Sequence, residues 1–199
     1  MIEVRAVAVI GAGPTGRGIA HAAALGGYRT ILEDLLPNAL RKAESEIRAA
    51  LDRSVEIGEV DAAEANAAFS RIEYAGSVDE AAREADFVIE AVPDELESKL
   101  EIFTMLDKFC RPNTILAATI SHANPASLSI TEIASVTYRA KKCVGMHFFN
   151  PVYKMRRLEI LRALETDDET LDTAVEVGRR IGKDVVVIKE PSSIITCHI

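Results

Sequence analysis

A glycine-rich turn near the amino terminus constrains the fold of this chain more than any other sequence feature. An apolar run at residues 4–10 leads into the pattern Gly-x-Gly-x-x-Gly, and a run typical of a helix follows. Gly11 permits a tight turn, Gly13 lets a pyrophosphate approach the backbone, and Gly16 lets the helix pack closely on the strand. Pro14 is tolerated because a proline in the first helical turn loses no hydrogen bond. The segment therefore predicts a dinucleotide site at a helix amino terminus.

An acidic residue after the second apolar run indicates which dinucleotide binds. Residues 28–33 read as a strand, and Asp34 follows it, eighteen residues after Gly16. A carboxylate there accepts hydrogen bonds from the adenosine ribose and repels a 2′-phosphate. We therefore predict NAD rather than NADP. The alternative is an ordinary glycine turn followed by a solvated Glu33–Asp34 pair.

Composition excludes several other classes of protein. The chain has 199 residues, 48% of them hydrophobic, and a formal net charge of −8, so it can bury a good core but offers nucleic acid no basic face. No apolar run reaches membrane-spanning length. Cys110, Cys143 and Cys197 are far apart and odd in number, which indicates reduced thiols rather than a zinc site. We expect a cytoplasmic protein without metal, nucleic-acid or membrane partners.

Predicted strands and helices alternate along the whole chain. Strands are predicted at residues 4–10, 28–33, 71–74, 86–92, 114–118, 142–146, 157–161 and 184–188. Helices are predicted between them, including one that starts at Pro93 and one that the capping pair Ser129 and Glu132 opens. This alternation predicts an α/β fold of the Rossmann type, with a doubly wound and mostly parallel sheet.

Several motifs resemble the 3-hydroxyacyl-CoA dehydrogenases, specifically their N-terminal NAD-binding domain. The motifs lie at residues 9–13, 86–93 and 145–151, followed by Met155 and residues 158–160, so the resemblance spans almost the whole chain. The most specific of them is His-Phe-Phe-Asn-Pro at 147–151, with Glu159 twelve residues after His147. The resemblance implies NAD-dependent oxidation of an L-3-hydroxyacyl-CoA to the 3-ketoacyl-CoA.

The resemblance also assigns roles to individual residues. His147 matches the histidine that removes the hydroxyl proton, and an imidazole suits that task because it titrates near neutral pH. Glu159 matches the glutamate that holds the other ring nitrogen. Asp94 and Lys99 match cofactor contacts, and Asn150 matches an asparagine that lines the site. Without the motif, His147 would read as a packed histidine, and Asp94 and Lys99 as helix-surface charges.

The substrate side of the site departs from the family pattern. Ala126 stands at the position of the serine that hydrogen-bonds the reacting oxygen, and loss of such a donor typically costs about 10²–10³ in rate. Ser127, Ser121 or His122 can substitute if the loop bends inward. Cys197 stands where the family has an asparagine or serine that faces the substrate. We therefore place Ser127, Asn150 and Cys197 on the substrate side.

Arg157 is a further departure, because the family usually has an apolar residue there. On a strand, Arg157 and Glu159 point to the same face. We hypothesise that the two form an ion pair that weakens the hold of Glu159 on His147. The basic trio Lys154, Arg156 and Arg157 can meet CoA phosphates or can be ordinary surface charge.

The family pattern normally continues into an all-helical domain that covers the acyl chain and forms the dimer interface. We expect an NAD-binding domain at residues 1–188 and a truncated linker to an absent helical domain at 189–199. A homo-oligomer or a partner carrying the missing domain would then complete the acyl-CoA site. Two functions stay open: an impaired dehydrogenase, favoured by His147 and Glu159, and a non-catalytic NAD-binding module, favoured by Ala126, Cys197 and the missing domain. A dehydrogenase of small β-hydroxyacids without CoA is a weaker third reading.

Overall fold

A computed structural model describes residues 2–120 and 128–189 and shows one eight-stranded sheet. The strands lie in the order β3-β2-β1-β4-β5-β6-β7-β8, and every neighbouring pair is parallel except β6 and β7. Their bounds are β1 Ala6–Ile10, β2 Arg29–Glu33, β3 Ile72–Ala75, β4 Phe87–Glu90, β5 Ile115–Thr119, β6 Cys143–Phe148, β7 Arg157–Arg162 and β8 Asp184–Lys189. The predicted fold class, α/β with a Rossmann-type, mostly parallel sheet, is confirmed.

Within the described residues, seven α-helices cover the two faces of this sheet. Their bounds are α1 Pro14–Leu25, α2 Pro37–Glu56, α3 Ala62–Ser70, α4 Val78–Glu84, α5 Leu96–Phe109, α6 Ile130–Ser135 and α7 Asp168–Arg180, with one 3-10 turn at Ala140–Lys142. The core on one face packs α1, α2, α3 and α7 against the sheet, and the core on the other packs α4, α5 and α6. Alternate residues of β1 enter the two cores, with Val7 and Val9 on one side and Ala8 and Ile10 on the other.

The central strands are buried along their length because helices cover both of their faces. All five residues of β1 and all five of β5 are buried. The antiparallel pair of β6 and β7 instead places polar side chains opposite each other, with His147 directly across from Glu159. This antiparallel step brings two residues twelve positions apart into contact.

The structure corrects the predicted start of α5. The helix begins at Leu96 with Glu95 as its N-cap, not at Pro93, and β4 ends at Glu90. The amide of Val92 donates to a carboxylate oxygen of Glu90 at 2.7 Å, so the chain turns out of the sheet as soon as the strand ends. Residues 91–95 consequently form an irregular connection at the carboxyl end of the strand. Among the described residues, no helix is long and apolar enough to cross a membrane.

Candidate active site

The glycine turn after β1 has the close packing that its sequence predicts. Gly11 has φ +101°, in the region that favours glycine, and its amide donates to the carbonyl of Glu33 at 2.8 Å. A Cβ on Gly16 would lie 1.8 Å from the carbonyl oxygen of Gly11, so only glycine fits there. A Cβ on Gly13 would meet nothing within 4 Å. Gly13 therefore faces open space, whereas Gly11 and Gly16 are required by the packing of the protein itself.

The amino terminus of α1 suits an anion. Gly13 is its N-cap, Pro14 occupies the first turn, and no side chain caps the helix. The first turn also carries no acidic residue, so the positive end of the helix dipole is not neutralised by a side chain of that turn. The open space at Gly13 and the backbone amides of the first turn of α1 together fit the pyrophosphate of a dinucleotide.

Asp34 is held rigidly at the end of β2. Its Oδ2 accepts from the amide of Ala12 and its Oδ1 from the amide of Leu36, each at 2.9 Å. The carboxylate thus bridges the glycine turn and the start of α2. Each oxygen has a second lone pair that can accept a ribose hydroxyl, and the fixed negative charge disfavours a 2′-phosphate.

The neighbouring Glu33 does not form the solvated pair with Asp34 that the alternative interpretation assumed. Its side chain is buried, and its Oε1 has no hydrogen-bond partner among the described residues. Burial and the charge of Asp34 raise the pKa of Glu33 to about 7. The alternative interpretation is therefore wrong for Glu33, which is a buried acid beneath the glycine turn.

A cleft of about 440 Å³ opens at the carboxyl ends of β1, β4, β5 and β6. The glycine turn and Asp34 line one side of it, residues 91–94 and 119–120 line the floor, and Phe148 and Asn150 line the other side. In open α/β sheets, ligands bind at this edge, outside the carboxyl ends of the strands. The cleft thus contains five predicted site residues: Gly11, Gly13, Asp34, Asp94 and Asn150.

His147 and Glu159 form a buried hydrogen-bonded pair at the end of the sheet. Nδ1 of His147 lies 2.9 Å from Oε2 of Glu159. Burial by itself raises the pKa of Glu159, but hydrogen bonds from His147 and Arg157 outweigh it and hold that pKa below its usual value. The glutamate is therefore ionised at neutral pH and accepts the Nδ1 proton, so Nε2 is the ring nitrogen left to accept a proton.

Arg157 makes the ion pair that strand geometry predicted. Its Nε donates to Oε1 of Glu159 at 2.9 Å, and a second guanidinium nitrogen donates to the same oxygen. The guanidinium carbon lies 5.6 Å from the centre of the Phe149 ring, and that ring lies 4.3 Å from the His147 ring. Within the basic trio, Arg156 pairs with Asp184 at 3.1 Å. Two of the three cations of the trio are thus paired with carboxylates.

Asn150 connects the segment that follows β6 to the first turn of α1. Its Nδ2 lies 3.3 Å from the hydroxyl of Thr15 in the first turn of α1. Sequence reasoning missed Thr15, which occupies a variable position of the glycine motif. The one sequence signal that could have identified Thr15 is its hydroxyl, because a polar side chain in a dinucleotide-binding turn can form a hydrogen bond with a neighbouring loop.

Lys99 is neither a surface charge nor a residue that lines the cleft. It is fully buried, and its ammonium donates to both oxygens of Glu90 at 2.9 and 2.8 Å and to the carbonyl of Thr119 at 2.8 Å. Asp94 lies 3.3 Å away, between this ammonium and the cleft. The alternative interpretation as a surface charge is therefore wrong for Lys99, and the predicted cofactor contact would run through Asp94. Sequence reasoning missed Glu90, which carries the compensating charge.

Five residues discussed for the substrate side lie outside the described part of the chain: Ala126, Ser127, Ser121, His122 and Cys197. Of the predicted substrate contacts, the structure describes Asn150. Across residues 2–120 and 128–189, no group of three or more His, Cys, Asp or Glu side chains is placed to hold a metal ion.

The fold and the cleft define a Rossmann-type dinucleotide-binding domain, and comparison with known proteins identifies its family. The family model of the 3-hydroxyacyl-CoA dehydrogenase NAD-binding domain matches residues 6–191. A probable 3-hydroxybutyryl-CoA dehydrogenase of Bacillus subtilis is 36% identical over 189 residues, covering 95% of this chain and 64% of that protein. A 3-hydroxybutyryl-CoA dehydrogenase of Bradyrhizobium diazoefficiens is 36% identical, covering 94% and 62%.

The solved structures agree with this assignment. The crystal structure of (S)-3-hydroxybutyryl-CoA dehydrogenase from Ralstonia eutropha superposes with a TM-score of 0.89 at 32% identity, covering 97% of this chain and 66% of that one. The chain belongs to the NAD-binding domain family of the 3-hydroxyacyl-CoA dehydrogenases. Its cofactor is NAD, as Asp34 predicted. The chain spans less than two thirds of the length of the two relatives described above.

Proposed function

We propose that this chain catalyses NAD-dependent oxidation of an L-3-hydroxyacyl-CoA to the 3-ketoacyl-CoA, with His147 as the general base. The observation that supports this most is the 2.9 Å contact between His147 Nδ1 and Glu159 Oε2, on the strand whose next residue, Phe148, lines the dinucleotide cleft. A histidine whose Nδ1 proton is bound by a buried carboxylate is a neutral base with a fixed tautomer.

In the proposed reaction, the residues of the chain remove the hydroxyl proton and orient the cofactor and the substrate. Nε2 of His147 removes the hydroxyl proton, and Glu159 stabilises the imidazolium that forms. The glycine turn and Asp34 hold the pyrophosphate and the ribose, and Asn150 lines the face between cofactor and substrate. NAD, when bound, accepts the hydride from the carbinol carbon.

Other parts of the proposal concern the surroundings of the site. The acyl-CoA class rests on the relatives, which are 3-hydroxybutyryl-CoA dehydrogenases. We also propose a division into an NAD-binding domain at 1–188 and a linker at 189–199, a cytoplasmic location, and a homo-oligomer or partner that completes the acyl site. Ser127, Asn150 and Cys197 stay predicted substrate contacts.

A second candidate is a non-catalytic NAD-binding module. Ala126, at the position where the family has a serine that contacts the reacting oxygen, favours it. The test is NADH oxidation with acetoacetyl-CoA, with NADH binding followed by fluorescence in the same preparation. Turnover supports the dehydrogenase. Saturable NADH binding without turnover at high protein concentration would replace it with the binding module.

A further inference from the structure

The two oxygens of Glu159 serve two different partners. Oε2 lies 2.9 Å from Nδ1 of His147, whereas Oε1 accepts two hydrogen bonds from the guanidinium of Arg157. The side chain of Glu159 is 10% exposed and that of Arg157 is 57% exposed, so the arginine covers the carboxylate from the solvent side. The carboxylate that orients the proposed base is therefore shared.

The backbone and an aromatic ring fix this arrangement. Arg157 and Glu159 are two positions apart on β7 and point to one face of the sheet, while His147 lies opposite Glu159 on β6. The ring of Phe149 contacts both the imidazole and the guanidinium, at 4.3 Å and 5.6 Å. The cation is thus held at a fixed position near the imidazole.

The charged groups around His147 and Glu159 determine how strongly a positive charge on the imidazole is stabilised. Glu159 contributes a negative charge beside the imidazole, and the permanent positive charge of Arg157 offsets part of it. On the adjoining strand β8, Asp184 pairs with Arg156. Just before that strand, Lys183 is bound to the carbonyls of Val152 and Met155. In the first turns of α1, Arg17 pairs with Glu46 of α2. Among these described groups, Arg157 is the cation that contacts the partner of His147.

We propose that Arg157 is a positioning residue that divides Glu159 between itself and His147 and thereby favours the neutral imidazole over the imidazolium. The inference rests on the proposed function, because His147 must be the base for its charge state to matter. A neutral imidazole accepts the hydroxyl proton, whereas ketone reduction needs the imidazolium as proton donor. Arg157 therefore extends hydroxyacyl oxidation to lower pH and slows ketone reduction at neutral pH.

The test compares Arg157→Met with the wild-type chain in the pH–rate profile of 3-hydroxybutyryl-CoA oxidation. Losing the cation stabilises the imidazolium, so we expect the acid-side midpoint to rise by about half to one pH unit. Acetoacetyl-CoA reduction at pH 7 should become about 2- to 5-fold faster by the same change. Arg157→Lys keeps the positive charge but not the paired N–H donors of the guanidinium. Compared with Arg157→Met, it should restore at least part of the wild-type profile.

Two controls separate this role from a merely structural one. Arg156→Met removes the neighbouring arginine, which is ion-paired to Asp184 instead, and should leave the midpoint in place. In a Glu159→Gln background, Arg157→Met should shift the midpoint by no more than about 0.2 unit, because the shared carboxylate is gone. An unchanged midpoint in Arg157→Met, or an equal shift in the Glu159→Gln background, would overturn the proposal.

A second readout does not require turnover. The His147 ring resonances, assigned by comparison with His147→Gln, can be titrated by NMR in the wild type and in Arg157→Met. An upward movement of the midpoint in a chain without activity supports the role of Arg157 and contradicts the proposed dehydrogenase. Identical titrations overturn the role of Arg157, whatever the activity is.

Discussion

Nδ1 of His147 lies 2.9 Å from Oε2 of Glu159, and the two residues are direct partners in the antiparallel register of β6 and β7. Both are nearly buried, so water competes little for this hydrogen bond. The geometry predicts that Glu159 controls the tautomer and the charge of the imidazole rather than contacting the substrate.

Replacing Glu159 with Gln keeps the shape of the side chain and removes its charge. The imidazolium then loses its stabilising partner, and we expect kcat for hydroxyacyl oxidation to fall by about 10²-fold. NADH affinity should stay within twofold of wild type, because Glu159 is not among the residues of the cleft. Stopped-flow rates with fluorescence binding check both values. A variant with unchanged kcat would show that the pair is only structural.

A substitution at Gly13 tests ligand binding without disturbing the packing of the protein. A Cβ there meets no atom of the described residues within 4 Å, so Gly13→Ala should fold with wild-type stability but obstruct the pyrophosphate. We expect NADH affinity to fall at least about 10-fold, which corresponds to about 1.4 kcal/mol. Gly76→Ala is the matched control, since its Cβ also meets nothing and lies outside the cleft. Equal NADH affinity in Gly13→Ala and Gly76→Ala would contradict the assignment of the anion site.

The buried pair of Lys99 and Glu90 should be costly to break. Lys99→Met leaves Glu90 without its cation in a dry site, and we expect the free energy of unfolding to fall by about 3–5 kcal/mol. Adding Glu90→Gln removes the uncompensated charge and should recover at least half of that loss. Denaturant unfolding of the wild type and the two variants measures this. A double variant no more stable than Lys99→Met would argue against an ionised Glu90.

The raised pKa of Glu33 predicts the direction in which the free energy of unfolding changes with pH. Burial raises its pKa from 4.5 to about 7, so between these values the native state holds a proton that the unfolded state has released. The free energy of unfolding therefore falls as pH rises through this window. Glu33→Gln removes the penalty and should stabilise the chain at pH 8 by about 2–3 kcal/mol, with little effect at pH 4.5.

The control for Glu33 is Glu56→Gln, which replaces an exposed acid on α2. It should change the free energy of unfolding by less than about 0.5 kcal/mol at either pH. A Glu33→Gln variant that is no more stable than wild type at pH 8 would mean that the carboxylate is solvated or hydrogen-bonded in the native state.

The sequence predicts local and repeated features well. The fold follows from alternating strand and helix patterns, and the roles of Gly11 and Gly16 follow from the geometry of one turn. The contact of Arg157 with Glu159 follows from the two-residue period of a strand. His147 and Glu159 were paired by resemblance, and the register of two antiparallel strands supplies the physical reason.

Features that depend on contacts between distant elements were missed. Without the family motif, Lys99 reads as a helix-surface charge, because its partner Glu90 lies on a strand and its third acceptor is a carbonyl of another strand. The start of α5 was placed at Pro93, although the bond from Val92 to Glu90 turns the chain before the helix begins. The alternative interpretation took Glu33 as solvated, because its burial depends on how helices cover that face of the sheet.

The most direct test of the central claim is the effect of His147→Gln on turnover and on cofactor binding in the same preparation. The account predicts that oxidation of 3-hydroxybutyryl-CoA falls by at least about 10³-fold, because the general base is gone. It also predicts that NADH affinity stays within twofold of wild type. Turnover that survives the substitution, or NADH binding that is lost together with it, would contradict a base that acts beside an independently formed NAD site.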